Sequence, residues 1–267
     1  MLSVIKAAYE AGQEIMKIYQ TDFDVEYKED ESPLTIADMK SHEVIQKALK
    51  ENYPEIPILS EEGKNIAYEE RSAWEKFWLV DPIDGTKEFI KKNDEFTVNI
   101  ALIEQGKPVF GVIYAPALDT FYVGQQSKGS YKLENAEAYV NSLENLEDFY
   151  SKSVVLPLQD KQPNQVKVVA SRSHMSKETE EFIEGLKRDY KQVETLSAGS
   201  SLKLCLVAEG AADFYPRYAP TMEWDTGAGQ AIVEHAGGQV TIAGGSNPLR
   251  YNKEDLRNPW FLAKLNR

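Results

Sequence analysis

The chain has 267 residues, 42% of them hydrophobic, and a single cysteine. That length buries a core without staples, in one large domain or two smaller ones, and one thiol cannot form an intramolecular disulfide. A formal net charge of −13 disfavours a nucleic-acid polymer as partner, because such binders neutralise phosphates with clustered Lys and Arg; a small phosphorylated substrate stays compatible if metal ions cancel local carboxylates.

Met1 to Lys6 hold no basic region leading into an apolar stretch of signal-peptide length, and no later segment approaches about 18 uninterrupted apolar residues. The expectation is a cytoplasmic protein with no transmembrane segment. Leu2, Ile5, Tyr9, Gly12, Ile15, Met16 and Tyr19 recur at helical spacing, which predicts an amphipathic helix over the first twenty residues. A second helix is predicted over 37–51, with Asp38 near its beginning and Pro54 beyond its end.

Short apolar runs at 56–59, 77–80 and 97–103 have strand length. Gln105-Gly106 turns the chain into 109–114, and 120–123 extends the meander. The first half therefore reads as helices packed on a largely antiparallel sheet. Over 134–160, Glu134, Glu137, Glu144, Glu147 and Asp148 outnumber the apolar groups, which reads as a solvated face or linker. The domain boundary is placed there, giving domains 1–155 and 156–267.

The second half predicts strand 166–170, helix 176–188, strand 193–196, helix 201–209 and strand 212–215. A helix over 225–236, stopped by Gly237-Gly238, and a strand over 239–242 follow. Such alternation suggests a mixed or parallel sheet between helices. Cys205, in the apolar run Leu204 to Val207, reads as a small buried hydrophobe. His42 and His235 fall within predicted helices and read as packing or surface residues.

In Trp78-Leu79-Val80-Asp81-Pro82-Ile83-Asp84-Gly85-Thr86, a buried-looking strand delivers two carboxylates onto a turn. Gly85 lets a ligand approach the peptide N–H groups closely, and a helix beginning at Thr86 would suit a phosphate. The bland alternative is a strand-end turn in which Asp84 caps the next helix. Ile58-Leu59-Ser60-Glu61-Glu62 places another acid pair after an apolar run, and Trp224-Asp225-Thr226 places a carboxylate at a helix start. A solvated loop and an N-cap explain these singly. Together with Asp81 and Asp84 they supply four hard oxygen ligands of the type magnesium takes.

Asp-Pro-Ile-Asp-Gly-Thr, preceded by Ser-Glu-Glu and followed far downstream by Trp-Asp, resembles the signature set of the lithium-sensitive inositol monophosphatase superfamily. The likeness runs from Ser32-Pro33-Leu34-Thr35-Ile36-Ala37-Asp38 to Gly237-Gly238 and weakens over 134–160. It implies an α/β (α+β) chain in the layered αβαβα sugar-phosphatase fold, with an antiparallel sheet in the N-terminal half and a mixed one in the C-terminal half. It also implies two or three magnesium ions. Glu61, Asp81 and the carbonyl of Ile83 would bind the first, and Asp81, Asp84 and Asp225 the second. Two ions about 3.5–4 Å apart clamp the attacking and leaving oxygens of an in-line displacement. The Thr86 hydroxyl, bonded to Asp38, would act with Glu61 to activate a metal-held water. Substrate would meet Glu61, Ile83, Asp84, the Gly85 and Thr86 amides, and Asp225 beside the scissile ester.

Lys87-Glu88-Phe89 after the Gly-Thr is similar to the bacterial 3'(2'),5'-bisphosphate nucleotidases; inositol monophosphatases usually carry Thr-Asn-Phe there. That subgroup implies hydrolysis of the 3'-phosphate of adenosine 3',5'-bisphosphate to AMP, with 3'-phosphoadenylyl sulfate as a second substrate, in sulfur assimilation. Ser200 and Lys203, one helical turn apart, and Arg217 suit a second phosphate, and His174 the base or ribose. Gly227 departs from the Ala more usual in the family. Two alternatives stay open: an inositol or sugar phosphatase with the same metals, and a non-catalytic partner protein retaining the fold. Monomer or homodimer, and peripheral attachment at the inner face of the membrane, are likewise open.

Overall fold

The computed structural model describes residues 1–27, 33–158, 164–170 and 176–266. Helix α1 (Leu2–Tyr19) leads to a small antiparallel ribbon, β1 (Val25–Tyr27) with β2 (Pro33–Thr35), and then to α2 (Ile36–Asn52). Thr35 and Asp38 form a capping box that starts α2: the Thr35 hydroxyl accepts from the Ala37 N–H, and Asp38 accepts from the Thr35 N–H at 2.8 Å.

A seven-stranded sheet follows in sequential order. It comprises β3 (Ile58–Ser60), β4 (Lys76–Asp84), β5 (Thr97–Glu104), β6 (Lys107–Ala115), β7 (Thr120–Gln125), β8 (Gly129–Glu134) and β9 (Val154–Val155). Only β3 and β4 pair in parallel. Short helices α3 (Tyr68–Arg71), α4 (Thr86–Ile90) and α5 (Leu146–Lys152) decorate it. The second sheet has the order β11-β10-β12-β14-β13, from β10 (Gln165–Ala170), β11 (Gln192–Ser197), β12 (Phe214–Arg217), β13 (Gly238–Ile242) and β14 (Phe261–Leu265). It is mixed, with β10 parallel to β11 and β12, and β14 antiparallel to β12 and β13. Helices α6 (Lys177–Leu186), α7 (Leu202–Glu209) and α8 (Glu223–His235) complete the chain.

The apolar runs are continuous because the first sheet is covered on both faces. Successive side chains alternate faces: Trp78 and Val80 of β4 join Val98, Ile100 and Leu102 of β5 under α1 and α2, whereas Leu79, Ala101 and Ile103 face α7 and α8. That second core also takes Val169, Tyr215, Val240 and Phe261 from the other sheet, so α7 and α8 form a middle layer. On the far side, Phe182 of α6 packs edge-on to Phe214 at 5.7 Å. The five layers expected from the motifs are the layers observed. Helix α8 crosses the first sheet at two glycines, where a Cβ would lie 2.4 Å from the Ala228 carbonyl at Gly111 and 2.6 Å from Ile232 Cα at Gly124.

Three expectations change. Strand β4 does not end at Val80 but continues through Pro82 to Asp84, so the carboxylates lie on the strand itself. The acidic stretch is no linker: its four glutamates are exposed as a solvated face, but Ala136, Val140, Leu143 and Phe149 are buried in the first core, and α5 starts on an Asn145–Asp148 capping box. Apolar residues spaced beneath a charged surface carry this segment, and a count of charges conceals them. Ser200, finally, precedes α7 in a left-handed conformation and shares no helical face with Lys203. The hairpin β1–β2, helices α3 and α5, and strands β8, β9 and β14 had no predicted counterpart. Cys205 is fully buried, and no helix among the described residues is long and apolar enough to cross a membrane.

Candidate active site

Asp81 and Asp84 are three residues apart, an odd spacing that puts them on opposite faces of a regular strand. The register removes this obstacle. Asp81 pairs with Asn99 and Asp84 with Thr97, so three steps on β4 match two on β5; this one-residue bulge brings both carboxylates to one place. The Ile83 N–H donates to Asp81 Oδ1 at 3.1 Å and fixes the bulge. Asp225 arrives from the first turn of α8, where its carboxylate accepts from the Met222 N–H at 2.8 Å. Ligand atoms of Asp81, Asp84 and Asp225 all lie within 4.8 Å of one another.

Glu61 is delivered by the parallel β3–β4 pair. Ser60 stands opposite Val80, and the Glu61 N–H donates to the Val80 carbonyl at 3.1 Å. Its side chain lies outside the 4.8 Å set yet hydrogen-bonds Asp81. Behind it, Thr86 Oγ1 lies 3.3 Å from Asp38 Oδ1 and 3.4 Å from the Ile83 carbonyl. Gly85 has φ 93°, and a Cβ there would come 3.0 Å from the Glu95 carbonyl and 3.1 Å from Ser200 Cβ. Only glycine accepts both that backbone and that approach.

The carboxylates have no adequate counter-charge. Burial, then Glu61, Asp84 and Asp225, hold Asp81 well above the ordinary carboxylate range. Burial also raises Asp84, against Lys203, and burial followed by Asp84 pushes Asp225 up to about 8. Asp38 rises to about 6 through burial, opposed by its bonds from Thr35. Lys203 is the one buried lysine beside them among the described residues, and burial lowers it to about 8. Clustered all-oxygen donors that repel one another in a partly buried cleft fit a hard divalent cation. Asp81, Asp84 and Asp225 are the residues that would hold it, with Glu61 adjoining.

A cleft of about 620 Å3, including its solvent-facing mouth, opens from this cluster. Its wall carries six of the expected residues, Asp84, Gly85, Ser200, Lys203, Arg217 and Asp225. Lys203 Nζ donates to the Ser200 carbonyl at 2.6 Å. Arg217 Nη2 donates to the Pro220 carbonyl at 3.1 Å, while its buried Nε has no hydrogen-bond partner among the described residues. Glu61 lies in a neighbouring depression beside Trp224, and Asp81, Ile83, Thr86 and Asp38 stand behind the wall. His174 lies outside the described residues. His42 and His235 stand apart from the cleft.

Sequence reasoning missed the supports. Ser201 Oγ bonds Thr97 Oγ1 at 2.8 Å and Asn99 Oδ1 at 2.9 Å, tying the start of α7 to the bulged strand pair. Glu95 accepts from the Gly199 N–H at 2.8 Å, and Glu88 and Tyr215 complete the cleft. Glu88 sits inside the Lys87-Glu88-Phe89 motif and Ser201 next to Ser200 at the start of the predicted helix 201–209, which was the available signal. Asn99 and Thr97 read only as polar breaks in an apolar run.

The inositol monophosphatase family matches residues 2–264. The chain is 44% identical over 260 residues to the 3'(2'),5'-bisphosphate nucleotidase CysQ of Salmonella typhimurium, covering 97% of this chain and 96% of that one. It is 42% identical over 265 residues to the Escherichia coli K12 protein of the same name, covering 98% of each. The crystal structure of CysQ from Bacteroides thetaiotaomicron superposes with a TM-score of 0.89 at 49% identity, covering 99% of this chain and 96% of that one. An inositol monophosphatase from Thermotoga maritima shares the fold at a TM-score of 0.74 and 22% identity, covering 97% of this chain and 89% of that one. A family match over residues 2–264, with relatives above 40% identity over nearly the whole chain, makes this chain a member of the inositol monophosphatase family.

Proposed function

We propose that this protein is a magnesium-dependent 3'(2'),5'-bisphosphate nucleotidase that converts adenosine 3',5'-bisphosphate to AMP and phosphate, and that also takes 3'-phosphoadenylyl sulfate. The observation that carries this reading is one cleft joining a cation-demanding carboxylate cluster to two basic side chains, Lys203 and Arg217. A monophosphate needs only the first; a bisphosphate uses both. The CysQ relatives, matched over nearly their whole length, support the same substrate class.

Asp81, Asp84 and Asp225, with Glu61 and the Ile83 carbonyl, would hold two or three magnesium ions. Bound magnesium supplies charge neutralisation at the phosphate and a lowered pKa for the attacking water. The Gly85 and Thr86 amides hold the scissile phosphate. Thr86, fixed by Asp38, and Glu61 orient the water and take its proton. Water adds to phosphorus as it gives up its proton, the bond to ribose O3' breaks, and the leaving ribose oxygen, beside Asp225, takes a proton from a second, solvent-derived water. Ser200, Lys203 and Arg217 receive the 5'-phosphate.

The test is phosphate release from adenosine 3',5'-bisphosphate and inositol 1-phosphate side by side, with magnesium, with EDTA and with lithium. Magnesium-dependent, lithium-inhibited preference for the nucleotide is expected. Preference for inositol phosphate would overturn the pocket, and inactivity on both would favour a partner-protein role. Asp84→Asn should lower turnover by more than the roughly 10–100-fold typical of residues behind a metal ligand, with the fold intact. A cytoplasmic location, and a monomer or homodimer, complete the proposal.

A further inference from the structure

The cleft that gathers Lys203 and Arg217 also retains a carboxylate. Glu88 of α4 lines it together with Asp84 and Ser200. Its charge is felt by both Asp84 and Lys203, so it lies near the acidic cluster and the basic wall alike. Its stem rests on the Gly199 backbone, where an added Cβ would come 2.7 Å from Glu88 Cγ. The Lys203 ammonium is directed at the Ala198 and Ser200 carbonyls, and no described residue makes a hydrogen bond or close ion pair with the Glu88 carboxylate.

A carboxylate accepts hydrogen bonds and donates none, and it repels a phosphate. In a cleft built for anions it must meet a donor on the substrate. A nucleoside 3',5'-bisphosphate has few donors: the ribose hydroxyl next to the scissile phosphate, and N–H groups of the base. With the 3'-phosphate at the acids and the 5'-phosphate at Lys203 and Arg217, the ribose spans the stretch that Glu88 lines.

We infer that Glu88 is a specificity residue, its carboxylate accepting a hydrogen bond from the ribose 2'-hydroxyl. This rests on the bisphosphate nucleotidase reading. It makes the enzyme a reader of ribose, favouring ribonucleotide over 2'-deoxyribonucleotide.

The experiment compares kcat/KM for adenosine 3',5'-bisphosphate and its 2'-deoxy analogue in wild type, Glu88→Ala and Glu88→Gln, with thermal melting to verify folding. Wild type should prefer the ribonucleotide by on the order of tenfold or more, as for a hydrogen bond to a charged group. Glu88→Ala should bring that ratio close to one, chiefly through KM for the ribonucleotide, and Glu88→Gln, which keeps an accepting oxygen and the side-chain volume, should fall between. A wild-type ratio near one, or an unchanged ratio in both variants, overturns the inference. So does an equal gain on both substrates, which would mean that Glu88 only tempers the charge of the cleft. No turnover of either nucleotide by wild type would instead defeat the nucleotidase reading, and the inference with it.

Discussion

Replacing Asp225 by Asn should stabilise the metal-free protein. In the fold its carboxyl is pushed from 3.8 up to about 8, by burial and then by Asp84. Because the folded value is the raised one, the penalty begins above the unfolded pKa and is complete near pH 8; stability in EDTA should therefore fall as pH rises across that window. Linkage puts the cost at pH 7 at about 4 kcal/mol for a sealed group. Asp225 stands at the cleft wall, half-buried, and solvent screening leaves about 2 kcal/mol. The opposing loss is at most a favourable anion in the first turn of α8, worth about 0.3–1 kcal/mol once the carboxyl is ionised. Asn keeps an oxygen for the Met222 N–H, so the cap itself survives. Repulsion wins, by about 1–2 kcal/mol, or a Tm rise of about 3–6 °C for a chain of this size. The assay is thermal melting in EDTA and in magnesium from pH 4 to 9. The variant should melt higher in EDTA with a flatter pH profile, and lose most of the magnesium-induced rise. A variant that melts lower than wild type in EDTA would refute the reasoning and make Asp225 a helix cap first.

Phe149→Ala should cost about 3–5 kcal/mol in urea denaturation, because the ring is fully buried and packs edge-on to Phe121 at 6.2 Å; a loss below about 1 kcal/mol would return 134–160 to linker status. Gly227→Ala gains about 1 kcal/mol of helix propensity but sets a Cβ 2.8 Å from Leu79 Cδ2, in a core where overpacking costs about 1–3 kcal/mol. A net loss of about 1 kcal/mol is expected, and Leu79→Val should remove it in a double-mutant cycle. Burial lowers the His235 imidazole below its usual 6.5, opposed by the Val109 and Pro108 carbonyls. Folding then favours the neutral ring, so stability attributable to His235 is lost as pH falls through 6.5, and His235→Gln should reduce the difference in Tm between pH 5.5 and 7.5.

Much of the fold was legible because its cause is local. The helix over the first twenty residues, the strands of the meander and the alternation in the second half follow from apolar spacing, turn residues and Gly237-Gly238. Two-sided burial made the runs continuous, which marks strands but hides the face each residue takes. The acidic stretch misled for a related reason: buried apolar side chains such as Val140, Leu143 and Phe149 hold it down, and composition averages them away.

The sequence by itself picked out the candidate ligands. Asp81, Asp84, Glu61 and Asp225 stand out as carboxylates at the ends of apolar segments, where burial without a cation is costly. Only the tertiary structure decided how they meet. A one-residue bulge cancels the odd spacing on β4, a parallel pair sets Glu61 beside Asp81, and α8, running between two sheets, carries Asp225 across from the other half. The same is true of Ser201, Asn99, Glu95 and Glu88, whose roles depend on contacts between segments far apart in the chain. Spacing along one strand or helix cannot encode such meetings, because they arise from how the elements stack.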